Sequence, residues 1–139
     1  MGTAVRAGGD ATAVDRQMIL LAVGDVALLS GLVAVGQLTH GVNPITEPVA
    51  SLETIAPFVI GWLVVTAIAG TYTRGISPSL LETARTITVV WLAAANVGFL
   101  LRASPAFTGS TVWPFPLVMV GLGLVVLGGW RLLATAYLR

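Results

Sequence analysis

Four long apolar stretches constrain the fold of this chain more than any other feature of its sequence. They cover residues 18–38, 52–72, 80–101 and 115–137, and the short connections between them contain proline and glycine. A helix needs about 20 predominantly apolar residues to cross a bilayer, and each stretch reaches that length. Proline and glycine interrupt helices, so we expect turns between the stretches. The sequence therefore predicts an all-α fold, an integral membrane antiparallel bundle of four transmembrane helices.

The residues before the first stretch have a different composition. Residues 1–16 are rich in glycine and alanine, include four charged residues and show no apolar periodicity. Segments of this kind bury too little apolar surface to order themselves. We expect residues 1–16 to form a mobile cytoplasmic tail and residues 17–139 to form one four-helix transmembrane domain.

The composition excludes several classes of protein. Charged residues make up 9% of the chain and apolar residues 56%, whereas soluble domains contain roughly 25% charged residues. The chain has no cysteine and one histidine, so it has no disulfide, no thiolate metal site and no cysteine nucleophile. All seven basic residues are arginine and the net charge is +1, which gives no support for a nucleic-acid partner. Nucleotide-binding and hydrolase motifs are absent from the sequence. We expect no enzyme activity and no cofactor.

The arginines are distributed unevenly between the two sides of the predicted bundle. Cytoplasmic loops of membrane proteins carry an excess of basic residues. Six arginines fall on one side, namely Arg6, Arg16, Arg74, Arg85, Arg131 and Arg139. Only Arg102 falls on the other side. The sequence therefore predicts a multi-pass protein of the cell membrane with cytoplasmic N- and C-termini.

Two helix starts carry sequence signals. Ser79 followed by Glu82 matches a capping box at the start of the third span. Thr54 is a candidate N-cap for the second span, which would place Pro57 in the first turn, where proline is tolerated. If that helix begins near Ser51 instead, Pro57 is expected to kink it.

Asp25 and Arg131 form the candidate intramembrane polar pair. Counting about 1.5 Å per residue from the inner ends of their spans places both roughly 10 Å deep. A carboxylate at such depth costs about 2.5–3.5 kcal/mol on insertion scales. Buried acids in membranes mark proton or ion paths, but Asp25 can also be a structural acid, either paired with an arginine or protonated. Arg131 can pair with Asp25 or extend to the headgroups. Equal depth predicts the pair.

The secondary polar candidates are Asn96, His40 and Glu53. Asn96 lies in the third span, where its amide can hydrogen-bond to a neighbouring helix or simply pack. His40 and Glu53 gather with Gln37 and Glu47 at the outer end of the bundle. One imidazole and two carboxylates are ligand types for a divalent cation, but their spacing matches no metal motif. We expect a solvated polar rim and no metal site.

Several short motifs resemble a known family. They are Gly24-Asp25, His40-Gly41, Leu52-Glu53-Thr54, Pro57-Phe58, Gly61-Trp62 and Gly129-Trp130-Arg131. With these motifs the chain resembles the small four-span membrane proteins grouped as domain of unknown function 3054, over about residues 16–138. The resemblance implies an integral membrane location and no catalytic role.

Two functional hypotheses follow from the sequence. The first is a structural or accessory membrane module that packs in the lipid bilayer against itself or another membrane protein. The alternative is a small transporter or proton-coupled carrier centred on Asp25. A water-accessible cavity that reaches Asp25 would favour transport, whereas a dry, arginine-paired Asp25 would favour the structural role.

Overall fold

Four helices make up the structure, a computed structural model of the chain. It describes residues 2–39, 41–73, 79–107 and 115–138, with side chains from residue 16 onward except those of residues 115 and 116. The helices are α1 (Gly2–Thr39), α2 (Pro48–Ala69), α3 (Leu80–Ala103) and α4 (Phe115–Leu138). Each contains a segment long and apolar enough to cross a membrane. The predicted all-α fold with four membrane-spanning helices is confirmed.

The first helix starts earlier than the sequence predicts. α1 begins at Gly2, whereas the apolar stretch begins at residue 18. Its membrane-spanning part is Arg16–Thr39. The backbone of residues 2–15 is thus helical, in contrast to the irregular chain expected of a tail. Alanine is the strongest helix former and recurs through this segment, which favours continuation of the helix. The mobility and the cytoplasmic location of the segment stay predictions.

The second helix is shifted toward the N-terminus relative to the prediction. Pro48 lies in the first turn of α2. Backbone N–H groups in the first turn have no partner within the helix, so the missing N–H of proline costs no hydrogen bond there. Gly70 adopts the left-handed conformation with φ 69°, and its N–H donates to Ala67 and Thr66 carbonyls. A glycine in this conformation ends a helix. Tyr72, predicted as the last residue of the span, therefore lies in the following turn.

The two predicted helix starts have opposite outcomes. Ser79 is the N-cap of α3, and its hydroxyl accepts a hydrogen bond from the Glu82 N–H at 3.2 Å. The cap is confirmed. Thr54 does not start α2, because its hydroxyl donates to the Ala50 carbonyl inside the helix. Pro57 is a buried interior residue of α2, so its placement in the first turn is wrong.

The contacts between neighbouring helices run in opposite sequence order. Thr83 near the start of α3 lies 3.1 Å from Thr135 near the end of α4, hydroxyl to hydroxyl. Further along α3, the Trp91 indole N–H donates to the Val120 carbonyl near the start of α4 at 2.9 Å. Rising residue numbers on α3 thus meet falling numbers on α4. This is the order that antiparallel neighbours would give.

The core is aromatic and depends on close approach of backbones. Its fully buried side chains include Leu29, Phe58, Trp62, Trp91 and Leu127. A Cβ on Gly61 would lie 2.5 Å from the Ala94 carbonyl oxygen. Small residues at such positions let membrane helices pack tightly. α2 and α3 therefore meet through a glycine contact beside the aromatic core.

The outer surface of the bundle is apolar. Large hydrophobic side chains are exposed on the spans, with Ile68 82% exposed, Leu100 73% and Val125 71%. Contiguous apolar surface of this kind is rare on soluble monomers. Lipid tails are as apolar as these side chains, so the same surface carries no cost in a bilayer. Surface and helix length together support a membrane location.

Candidate functional site

A buried stripe on each of two helices positions the charged pair. On α1, Leu21, Asp25, Leu29 and Val33 are buried and recur every four residues. On α4, buried positions also recur every four residues and include Leu127, followed by Arg131. Side chains four apart lie on one face of a helix. The regular apolar pattern of each helix therefore carries Asp25 of α1 and Arg131 of α4 into the bundle interior.

Asp25 and Arg131 form a two-pronged ion pair between α1 and α4. Arg131 Nη2 donates to Asp25 Oδ2 at 2.7 Å, and Arg131 Nε donates to Asp25 Oδ1 at 3.0 Å. Two parallel bonds of this type give both attraction and fixed orientation. Asp25 is 0% exposed and Arg131 8%. The pairing predicted from equal depth is present, while a functional role for it stays a prediction.

Tyr72 encloses the carboxylate from a third side. Its hydroxyl donates to Asp25 Oδ2 at 2.5 Å, and the Arg131 Cζ lies 5.4 Å from the centre of its ring. Burial and the neighbouring Asp25 charge raise the pKa of Tyr72 above its ordinary value. The hydroxyl therefore stays protonated near neutral pH and continues to donate. Asp25 thus receives bonds from both a guanidinium and a phenol.

Two tryptophans extend this arrangement to the other helices. The Trp62 indole N–H on α2 donates to the Tyr72 hydroxyl at 2.8 Å. Trp62 also packs against Trp91 of α3, with ring centroids 6.5 Å apart. Both indoles are fully buried. A continuous set of contacts, Trp91–Trp62–Tyr72–Asp25–Arg131, therefore joins all four helices, and we call it the polar relay.

The polar relay holds the four helices in contact with one another. Both oxygens of Asp25 already accept hydrogen bonds, and the residue has no exposed surface. A group that exchanges protons or binds a substrate must be reachable by water or ligand. Removing one partner of a buried ion pair leaves an uncompensated charge and costs about 3–5 kcal/mol. The Asp25–Arg131 ion pair thus fixes the register of α1 against α4, and breaking it would lower the stability of the bundle.

The secondary polar candidates lie apart from the polar relay. Asn96 is exposed on the outer surface, and its amide donates to the Leu92 carbonyl of its own helix at 2.8 Å. This differs from the bond to a neighbouring helix that the sequence suggested as a possibility. Glu53 is exposed on α2. His40 lies outside the described residues, so the expectation of a rim without metal stays a prediction.

Gln37 has a structural role where the end of α1 meets the beginning of α2. Its side chain is buried and donates to the Ser51 carbonyl at 3.1 Å, which connects α1 to α2. Glu47 is exposed and accepts a hydrogen bond from the Asn43 N–H at 3.3 Å. Within the described ranges, no three histidine or acidic side chains cluster as metal ligands would.

Sequence reasoning missed the role of Tyr72. The tyrosine was expected to lie near the inner interface, at the end of the second span. The available signal was Gly70, because glycine favours the left-handed turn that ends a helix. Two residues after such a reversal, a side chain is directed back across the end of the bundle. The direction depends on how α1 and α2 pack, which local sequence does not contain.

The helices and the polar relay define a class of protein. Four long apolar helices that pack around a buried ion pair are typical of a multi-pass membrane protein. The family model described as "Protein of unknown function (DUF3054)" matches residues 22–134, and the chain belongs to this family. The resemblance carried by the short motifs is thereby confirmed. No curated protein and no solved structure matches the chain.

Proposed function

We propose that the protein is a structural or accessory membrane module that packs against itself or another membrane protein. The observation that carries the proposal is the complete enclosure of Asp25 by Arg131 and Tyr72. An acid held in this way fixes the relative positions of its helices. It offers no free oxygen to a substrate or an ion. The proposal therefore assigns the chain no catalytic role and no cofactor.

The outward surface supports a role in packing. A Cβ on Gly31 of α1 or on Gly121 of α4 would have no described atom within 4 Å. Small residues on a lipid-exposed face allow another helix to approach closely. A side chain added at either glycine would meet no described part of the chain, so both positions are open to a second membrane protein or a second copy. We place this module in the cell membrane with both termini cytoplasmic, as the arginine distribution favours.

A proton-coupled carrier is the second candidate, and one observation favours it. Tyr72 bonds to Asp25 on one side and lines an open cleft on the other. Movement of this side chain would connect Asp25 with the cleft. The present geometry has Tyr72 in its closed position. Transport therefore requires a rearrangement that packing does not.

Photocrosslinking in native membranes tests the packing proposal. A photoreactive residue is placed at Val35 or at Val125, which are exposed on α1 and α4. The matched control is Leu29, which is fully buried. We expect a discrete protein adduct from at least one exposed position and none from the control. Adducts with lipid alone at both exposed positions would contradict the proposal.

A flux measurement separates the two candidates. The purified protein is reconstituted into liposomes with a pH gradient, and proton movement is followed with a trapped dye. The packing proposal predicts the same flux for the wild type, for Asp25→Asn and for empty liposomes. A flux that requires Asp25 would support the carrier instead. Circular dichroism of the same liposomes establishes that the variant is folded.

A further inference from the structure

An open cleft lies where α1 meets the turn after α2. Its volume is about 360 Å³, and it is lined by Met18, Ile19, Ala22 and Tyr72. Small-ligand sites occupy about 300–1,000 Å³, so the cleft has room for part of a flexible apolar chain. The α1 residues belong to the membrane-spanning segment Arg16–Thr39. In a bilayer these residues would lie near the beginning of the first apolar stretch, where the hydrocarbon of one leaflet meets its headgroups.

An exposed arginine, Arg16, precedes the cleft residues on α1. Arg16 lies two residues before the first apolar stretch, which begins at Met18. It precedes Ile19 by three positions, and residues three apart are neighbours on a helix surface. Side chains on a helix tilt toward its N-terminus, which carries the guanidinium away from the hydrocarbon. The surface thus combines a positive charge at headgroup level with an apolar groove about one turn deeper.

We propose that the cleft binds one acyl chain of an anionic phospholipid whose headgroup pairs with Arg16. Charge complementarity selects the occupant, because the guanidinium attracts a net negative headgroup while the cleft lining is mostly apolar. The bound chain covers Tyr72, whose hydroxyl donates to Asp25. A lipid in this position keeps water from that hydrogen bond. The proposal depends on the membrane location alone and holds for either candidate function.

Native mass spectrometry measures this binding directly. The protein in detergent is titrated with phosphatidylglycerol or with phosphatidylcholine carrying the same acyl chains. A basic residue near a membrane surface is worth about a fivefold preference for anionic lipid. We expect the first phosphatidylglycerol to bind about fivefold more tightly than the first phosphatidylcholine. Equal affinity of the two lipids for the wild type would overturn the proposal.

Two arginine variants test whether the preference is local. Arg16→Gln should abolish the preference for phosphatidylglycerol. Arg85→Gln is the matched control, since Arg85 is also exposed, at the beginning of α3. We expect the control to keep the preference. If both variants lose it equally, the attraction comes from the overall charge and the site is refuted.

Two alanine variants test the acyl-chain half of the site. Ala22→Leu fills the cleft and should weaken the first binding of both lipids to the same degree. Ala27→Leu adds the same atoms at an exposed position of α1 outside the cleft lining and should leave binding unchanged. Tryptophan fluorescence shows whether each variant is folded. Unchanged lipid binding by folded Ala22→Leu protein would exclude the cleft as the site.

Discussion

The ion pair between Asp25 and Arg131 gives the sharpest test of the structure. Asp25→Asn removes the negative charge but keeps the shape of the side chain. Arg131→Gln removes both guanidinium donors that reach the carboxylate at 2.7 and 3.0 Å. Each single change leaves one member of a buried pair without its partner. The double change removes both charges together and leaves two amides.

The expected magnitudes follow from what each variant leaves behind. Arginine cannot lose its proton in a protein, so Asp25→Asn leaves a buried cation and should cost about 5 kcal/mol. After Arg131→Gln, Asp25 keeps the Tyr72 hydrogen bond, so the carboxylate retains one of its partners. That variant should cost about 3 kcal/mol. We expect the double variant to cost about 2–3 kcal/mol less than the two single costs combined.

Unfolding in mixed micelles measures these free energies. The fraction of sodium dodecyl sulfate in dodecyl maltoside is raised while tryptophan fluorescence is followed. Trp62 and Trp91 are fully buried, so their emission reports the loss of the core. Arg85→Gln is the control, because it removes an exposed arginine and should change stability by less than about 0.5 kcal/mol.

Additivity would refute this reasoning. If the double variant costs the same as the two single variants combined, within about 0.5 kcal/mol, the two side chains do not interact. The proposed register role of the polar relay would then fail. A coupling of the expected size supports the ion pair as the interaction that fixes α1 against α4.

Three further predictions concern topology, close packing and pH. Thr3 and Gly109 are expected on opposite sides of the membrane, so cysteines introduced there should react with a thiol reagent from opposite faces of sealed cells. Reaction of both cysteines with an impermeant reagent added outside would contradict the topology. Gly61→Ala should lower the free energy of unfolding by about 1–3 kcal/mol, because its Cβ would lie 2.5 Å from a backbone oxygen. In the control Gly121→Ala the new Cβ meets no described atom within 4 Å, so this variant should be neutral or slightly stabilising. Equal effects of the two changes in micelle unfolding would argue against the packing of α2 on α3. Tyr72→Phe should cost about 2 kcal/mol by loss of a hydrogen bond to a charged group. Because the pKa of Tyr72 is raised on folding, its stabilisation is complete below about pH 10 and is lost as pH rises above that value; unfolding measured across this range should show the loss in the wild type and not in Tyr72→Phe.

Part of the site could be read from the sequence because depth in a membrane helix is a local property. The positions of Asp25 and Arg131 within their spans predicted matching depths, and the structure pairs them. Neighbours on other helices are not a local property. The attachment of Tyr72 to the same carboxylate depends on how α2 ends and how it packs on α1. Asn96 illustrates the same limit, since its facing direction depends on which side of α3 the bundle covers.

The use of glycines shows this limit most clearly. A Cβ on Gly31 of α1, or on Gly121 or Gly128 of α4, would meet no described atom within 4 Å. A Cβ on Gly123 of α4, in contrast, would clash with the Trp91 indole. Gly121 and Gly123 differ in this way because positions two residues apart on a helix face different directions. Composition alone does not distinguish a glycine that faces a tryptophan from one that faces lipid.

The sequence by itself determined the number of helices and their membrane environment. A bilayer requires about 20 apolar residues per span and satisfied backbone hydrogen bonds, and both conditions depend on the chain alone. Only the tertiary structure decided which side chains meet Asp25 and which helix faces remain open to lipid. Lipid is as apolar as the core, so hydropathy marks every face of a span alike. Which face of each helix packs in the core therefore depends on the shapes of the side chains, on where backbones can approach closely, and on the few polar groups that need partners.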